Sequence, residues 1–547
     1  MGTSNKVVSL VNYGKVRSGL ISQASHPRAK PVFHYIEIPF AQPPVEKLRF
    51  LPPEKALPWN GVLCNTKQTK IPMQIMEGVD VYSKFCPQKR SFFIDQCSED
   101  CLYLNLFVPD VQNSTKIPVM VWFYGGAFQI GPSSYFDGTA LAGMNDVIVV
   151  VPNYRVNTFG FISMEDGTGC NGNLGLLDQL AALKWVRENI GSFGGDKDNV
   201  TIFGESAGGI SVNMHMMSPL SQGYFHKAVS FSGTAVVPRA FIKDQTRAYK
   251  KFLEILDVKE ILPKKILEKL QSFSTQQIYD ANLELQLVHG YTWYPTVDGN
   301  FLVDTPATLL SDGRFLKMPY MLGCNNSEGG WVMNSAISNY LSGLTEKEYK
   351  FYASIFLKWY NRSIDSKKAL PILLKQYNKG SNLKDKMYYS KGVAGVMADA
   401  TFVTSIIHVA DKHAEFGAST YFYHMTHQPR HSHHDDYGPK EGRKPSYVGA
   451  DHVDDVFFNW GLPFLPDSIN DGFHFSQDEA DLSRLMMTYI TNFAKTGNPN
   501  VGDPHEFEWP AYNSRSRPHL VLDIPLSKGI DFGVENYNLY TKVLPNL

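Results

Sequence analysis

The chain of 547 residues has no excess of charge of either sign: 52 Lys and Arg face 53 Asp and Glu, for a formal net charge of −1. A near-neutral protein gains no counterion-release drive toward nucleic acid and no steering toward anionic membranes. The partner it implies is a neutral or small molecule. Cysteine is scarce as well. Cys64, Cys86, Cys97, Cys101, Cys170 and Cys324 are too few for a disulfide scaffold and lack zinc-ligand spacing. One bridge, or a fully reduced set, fits them equally. No stretch approaches the ~18 uninterrupted apolar residues that cross a bilayer, so no integral membrane segment is expected.

The opening MGTSNKVVSLVNYGKV has neither the apolar core nor the cleavage pattern of a signal peptide. Gly2 invites myristoylation, but Lys6 stands where that signal needs Ser or Thr. As given, the chain reads as cytoplasmic; a processed or cloned start would make it secreted or luminal. Asn113, Asn199, Asn325 and Asn361 begin N-glycosylation tripeptides, which are too common by chance to choose between these. Internal repeats, Ser- or Gly-rich linkers and low-complexity tracts are missing too. Residues 1–547 are therefore expected to form a single enlarged domain.

What is present is enough apolar sequence, 43% of the chain, for a large core. Residues 118–123 (PVMVWF) and 147–151 (VIVVV) are short apolar runs rich in β-branched residues, the mark of strands buried on both faces. From 175 to 190 the apolar positions shift to helical spacing, with Leu176, Leu177, Leu180, Leu183, Val186 and Ile190 recurring as in an amphipathic helix. Residues 199–204 (NVTIFG) and 227–231 (KAVSF) are further strands, with a helix opening at Ser206 between them. This alternation predicts an α/β fold with a mostly parallel sheet covered by helices. Residues 237–400 turn mainly helical, for example over 253–270 and 345–374, and strands are expected at 319–322 and 419–423. His427, His431, His433 and His434 with Asp435 and Asp436 could bind a transition metal. With no apolar frame to fix those side chains, a solvated loop is the preferred reading, and neither metal nor cofactor is expected.

Gly204-Glu205-Ser206-Ala207-Gly208 matches G-x-S-x-G between a strand and a helix. A serine on so sharp a turn needs small neighbours, and its hydroxyl is lifted out of the sheet at a helix N-terminus that favours developing oxyanions. The competing reading is a glycine-rich turn without catalytic meaning. A serine hydroxyl needs a base, and the base an orienting acid, in the order Ser, acid, His for this turn. Glu328 just past the strand at 319–322, and His452 in a loop after the strand at 419–423, meet that order. Context alone does not single them out among the other acids and the 16 histidines. Tyr124-Gly125-Gly126-Ala127-Phe128 follows another strand and, with Ala207, offers backbone amides for a tetrahedral oxyanion.

Several further segments carry a resemblance. They are Ile38 to Val45 (IPFAQPPV), Ser98 to Asn105 (SEDCLYLN), Asn173 to Gln179 (NLGLLDQ), Thr201 to Gly209 (TIFGESAGG) and Asn492 to Pro499 (NFAKTGNP). In this order, from about Tyr13 to Pro499, they resemble the type-B carboxylesterase family, which also contains the cholinesterases. The resemblance implies an α/β-hydrolase fold with helical insertions and a triad of Ser206, Glu328 and His452. It implies an oxyanion hole of Gly125, Gly126 and Ala207, and structural ion pairs Arg49–Glu99 and Arg155–Asp178. The implied activity is serine carboxylesterase hydrolysis of neutral esters through an acyl-enzyme. Its partner would be a small apolar ester, in a pocket lined partly by Tyr124 and Phe128.

Three departures stand out. Tyr124 replaces the usual His before the double glycine. Cys101 matches a half-cystine whose usual partner position is taken by the region of Pro72, Met73 and Gln74. Arg90-Ser91-Phe92 stands where cholinesterases carry a choline-binding Trp, which argues against choline esters. The alternatives are a lipase acting on long-chain esters, or a non-catalytic member acting as a binding or adhesion module. Oligomeric state has no signature in these residues.

Overall fold

The computed structural model describes residues 6–74, 96–111, 116–164, 168–290, 292–330, 333, 336–430, 447–466, 469, 473–502 and 507–547. Eleven strands share one sheet. In chain order they are β1 (Leu20–Ser22), β2 (Val32–Pro39), β3 (Tyr103–Pro109), β4 (Ile117–Phe123), β5 (Ile148–Pro152) and β6 (Gly195–Glu205). They continue as β7 (Lys227–Phe231), β8 (Tyr320–Asn325), β9 (Thr420–Met425), β10 (His519–Leu522) and β11 (Ser527–Gly529). Across the sheet the order is β1-β2-β3-β5-β4-β6-β7-β8-β9-β10-β11. Every pair from β5 to β10 is parallel, and the edges, β1 to β3 and β11, are antiparallel.

All residues of β5, β7 and β8 are buried, as both-face coverage of a parallel sheet demands. The coverage comes from helices α1 (Leu174–Asn189) and α2 (Ala207–Met217) among others; every residue of α2 is buried. This is the expected α/β fold. The six expected strands are present within a few residues of their predicted ends. The strands β1, β2, β3, β10 and β11 were not anticipated; of these β1, β10 and β11 are only three or four residues long and carry little periodic signal.

The segment 237–400 is largely helical but more broken than expected. The helix anticipated over 253–270 is two, α3 (Thr246–Ile255) and α4 (Pro263–Ser272). Asp257 takes a left-handed φ of 53° between them, and Pro263 sits where a helix tolerates its missing N–H. After α5 (Thr275–His289), the run 345–374 divides into α6 (Glu346–Tyr360) and α7 (Ser366–Tyr377). Extended Asn361 stops α6, and the Asp365 carboxylate accepts the Lys367 amide to cap α7.

Helices α8 (Tyr388–Ala398) and α9 (Thr404–Glu415) join through a wide turn into one helical run, Tyr388–Glu415. Its most apolar window has a mean hydropathy of 1.6, and 72% of that window is buried inside the protein. The apolar surface of this run therefore faces the core.

Candidate active site

Ser206 sits between the last residue of β6 and the first of α2, with φ 54° and ψ −121°. A side chain there is strained, and the surrounding backbone maintains the turn: the Ser206 amide donates to Phe231 O (2.9 Å) and Ile210 N donates to Ser206 O (2.8 Å). The flanking glycines are sterically required. A Cβ on Gly208 would collide with the carbonyl of Phe123, and one on Gly204 would lie 2.5 Å from Gly208 C. The strand-to-helix crossing leaves no room for either.

Neighbouring strands present the remaining groups at the same, C-terminal edge of the sheet, where parallel sheets gather their ligand-handling residues. Beyond β8, Glu328 is fully buried; its Oε1 accepts the Asn325 amide (2.7 Å) and the hydroxyl of Ser232 (2.6 Å), which follows β7. His452 arrives on a loop after β9 that is fastened to the Glu328 turn. Asn325 Nδ2 donates to Asp451 O (2.8 Å), Ser327 N to Ala450 O (2.8 Å), and Gly449 N to Ser327 Oγ (2.9 Å). The imidazole meets Glu328 Oε2 through Nδ1 at 2.5 Å and Ser206 Oγ through Nε2 at 3.0 Å. Phe402 lies over the ring, its centroid 4.6 Å away. The structure thus brings Ser206, His452 and Glu328 into one continuous relay.

A second carboxylate reaches the same imidazole. Glu205 Oε1 lies 3.2 Å from His452 Nε2, and it has no hydrogen-bond partner among the described residues. Burial pushes the Glu205 carboxyl up to about 8, with the neighbouring His452 pulling the other way. For His452, burial disfavours the imidazolium, but Glu205 and Glu328 outweigh it and raise its pKa.

The loop after β4 lies against the nucleophile. A Cβ on Gly125 would sit 2.6 Å from Glu205 Oε2 and 3.1 Å from Ser206 Cβ. Gly126 (φ 107°), Ala127 (φ 54°) and Phe128 (φ 63°) then turn the chain through left-handed space, closed by Gln129 N donating to Gly126 O (2.8 Å). The amides of Gly125, Gly126 and Ala207 have no acceptor among the described residues.

The carboxylesterase family model matches residues 4–538. The chain is 34% identical to mouse carboxylesterase 1F over 499 residues, which covers 89% of this chain and 85% of that protein. It is 33% identical to bovine carboxylesterase 4A over 548 residues, 98% and 94% of the two, and 35% identical to cat carboxylesterase 5A over 505, 91% and 87%. The chain belongs to the carboxylesterase family. Its fold is the α/β-hydrolase fold expected of that family.

In this carboxylesterase the Tyr that stands before the double glycine is engaged by Tyr154, just beyond β5. The Tyr124 hydroxyl donates to Tyr154 O and accepts from Tyr154 N, both at 3.0 Å, while the Tyr154 hydroxyl donates to Tyr124 O (2.6 Å). The two rings stack at 4.3 Å. Tyr124 therefore ties the loop after β4 to the segment that follows β5. Phe128 is buried with its ring against Phe161, centroids 5.0 Å apart.

Both ion pairs implied by the resemblance are buried and bidentate. Arg49 meets Glu99 at 2.5 and 2.6 Å, and Arg155 meets Asp178 at 2.7 and 2.8 Å. Arg49 also donates to Phe273 O (2.5 Å), tying the helical segment to the loop that follows β2. Cys101 is a free, buried thiol, and Pro72 and Met73 line the same small cavity. Cys86 and Arg90-Ser91-Phe92 lie outside the described residues. So do His431, His433, His434, Asp435 and Asp436. His427 lies 3.4 Å from Glu479. Among the described residues no group of three or more His, Cys, Asp or Glu could hold a metal ion.

Sequence reasoning missed Ser232, Glu205 and Phe402. Ser232 stands directly after a predicted strand and Glu205 is the second residue of the pentapeptide, so position alone could have flagged both. Nothing local marks Phe402.

Proposed function

We propose that Ser206 is the nucleophile, His452 the general base and Glu328 the orienting acid with which this carboxylesterase hydrolyses esters. As a family member the chain is a carboxylic ester hydrolase; the assignment of roles is our reading. The observation that carries it is the unbroken relay, 3.0 Å from hydroxyl to imidazole and 2.5 Å from imidazole to carboxylate.

His452 Nε2 takes the Ser206 proton as Oγ attacks the ester carbonyl. The negative charge then grows on the carbonyl oxygen, toward the amides of Gly125, Gly126 and Ala207. Each such donor is typically worth about 2.7–4 kcal/mol in a preorganised site. His452 returns the proton to the departing alcohol, leaving an acyl-enzyme, and the same steps with water release the acid. Glu328 holds Nδ1 as the donor, so that Nε2 is the acceptor, and stabilises the imidazolium. The buried, aromatic surroundings of Phe128, Phe161 and Phe402 favour a small apolar ester. We also read the chain as one enlarged domain, because a single sheet draws strands from Leu20 to Gly529.

The test is covalent. An aryl phosphonate should add once, at Ser206, by peptide mass mapping, and Ser206→Ala should lose about 10⁶-fold in p-nitrophenyl butyrate turnover with an unchanged melting temperature. Turnover retained by that variant rejects the assignment.

A further inference from the structure

One face of α1 borders a groove whose side chains take no part in the relay. Leu177, Leu180, Ala181, Lys184 and Glu188 recur at helical spacing and line a cavity of about 280 Å³. Leu177 to Glu188 spans about 16 Å of helix, so the groove is elongated. Its opposite wall is the segment 52–55, which is pinned to α1 at both ends. Arg155 donates to Leu51 O (2.9 Å) while it holds Asp178 of α1, and Lys55 Nζ meets Glu188 at 2.8 Å. An antiparallel bridge between Ala41 and Lys55 fixes the wall further. Phe40 and Trp185, both buried, complete the apolar lining.

The groove is charged at one end only. Leu177, Leu180 and Ala181 stand toward the end that Arg155 ties, and Lys184, Glu188 and Lys55 at the other. Glu188 is engaged by Lys55. Lys184 is exposed and has no ion pair or side-chain hydrogen bond among the described residues, so one positive charge is in excess. Tyr13 lines the same end, its ring 5.5 Å from Lys55 Nζ. Burial, and then Glu188, raise its hydroxyl to about 12, so it stays a donor. An apolar trough takes a hydrocarbon chain out of water, and a lone cation at its end prefers an anionic head to a neutral one. The volume lies near the lower bound for small-molecule sites, about 300 Å³. We propose that this groove is a second binding site, for a free alkyl carboxylate of medium length. Its chain lies along Leu177, Leu180 and Ala181, and its carboxylate at Lys184. Acids of this class are among the products that an ester hydrolase releases.

A matched pair of ligands tests this by titration calorimetry on the full chain. Octanoate and octanol share a chain length and differ in the charge of the head. The protein is first blocked with the aryl phosphonate, so that the catalytic centre is closed to both. Octanoate should still bind, at one equivalent, about tenfold more tightly than octanol. Lys184→Gln should remove that preference by weakening octanoate about tenfold and leaving octanol unmoved. Ala181→Trp, which fills the trough, should weaken both ligands more than tenfold. Both variants should keep the native melting temperature and the native turnover of p-nitrophenyl butyrate, since neither residue belongs to the relay. Octanol bound as tightly as octanoate overturns the role of Lys184. Octanoate binding that is lost on phosphonylation, or unmoved by Ala181→Trp, overturns the site while leaving the Ser206 assignment intact.

Discussion

Glu328 and Glu205 both reach the imidazole of His452, at 2.5 Å from Nδ1 and 3.2 Å from Nε2. Both are buried, and they are the same side chain. They differ in what else they touch. Glu328 accepts the Ser232 hydroxyl and the Asn325 amide besides the imidazole, while Glu205 Oε1 accepts no hydrogen bond among the described residues. Burial without compensating donors pushes Glu205 toward its neutral form. The difference shows that proximity to a base does not make a carboxylate its orienting partner; a set of donors that fixes the carboxylate does.

The largest break in this comparison should come from Glu328→Gln. An amide cannot hold Nδ1 as the donor with the same force, so kcat on p-nitrophenyl butyrate should fall about 10⁴-fold, as for other triads that lose the acid. A loss under tenfold would place the orienting role elsewhere, with Glu205 the first candidate. Glu205→Gln should cost much less, below about tenfold or ~1.4 kcal/mol at the rate plateau. Its signature is in the pH profile. Removing a carboxylate that favours the imidazolium lowers the His452 pKa, so the acid limb of kcat/KM moves to lower pH. An acid limb that stays in place or moves upward would show that Glu205 does not act on His452. The smallest effect on rate belongs to Tyr124→Phe. It deletes the hydroxyl that bridges the Tyr154 backbone, so chemical denaturation should show a loss of about 1–3 kcal/mol. The rate should stay within a few-fold, and a collapse to the level of Glu328→Gln would give Tyr124 a chemical role.

The buried interior strands and the elbow are legible in the sequence. β4 and β5 are continuous apolar runs, and G-x-S-x-G between a strand and a helix has few other uses. The helical segment was legible only in outline. Its apolar periodicity runs on past the breaks at Asp257 and Asn361, because turn conformation depends on single residues whereas periodicity averages over many. Glu328 and His452 could not be chosen on local grounds among the other acids and histidines. Only family resemblance singled them out. The contact between Tyr124 and Tyr154 has no local signal, because the two residues are 30 positions apart.

By itself, then, the sequence determined an α/β fold, a strained serine after a buried strand, and a glycine-rich loop upstream of it. Each of these follows from local chemistry: side-chain volume, backbone freedom and apolar spacing. The tertiary structure decided which of two carboxylates is furnished with donors, that Tyr124 is tied to Tyr154, and that one face of α1 lines a groove with the loop after β2. Those outcomes depend on distances between residues remote in the chain, which are set only when the sheet orders its strands and the helices close over them.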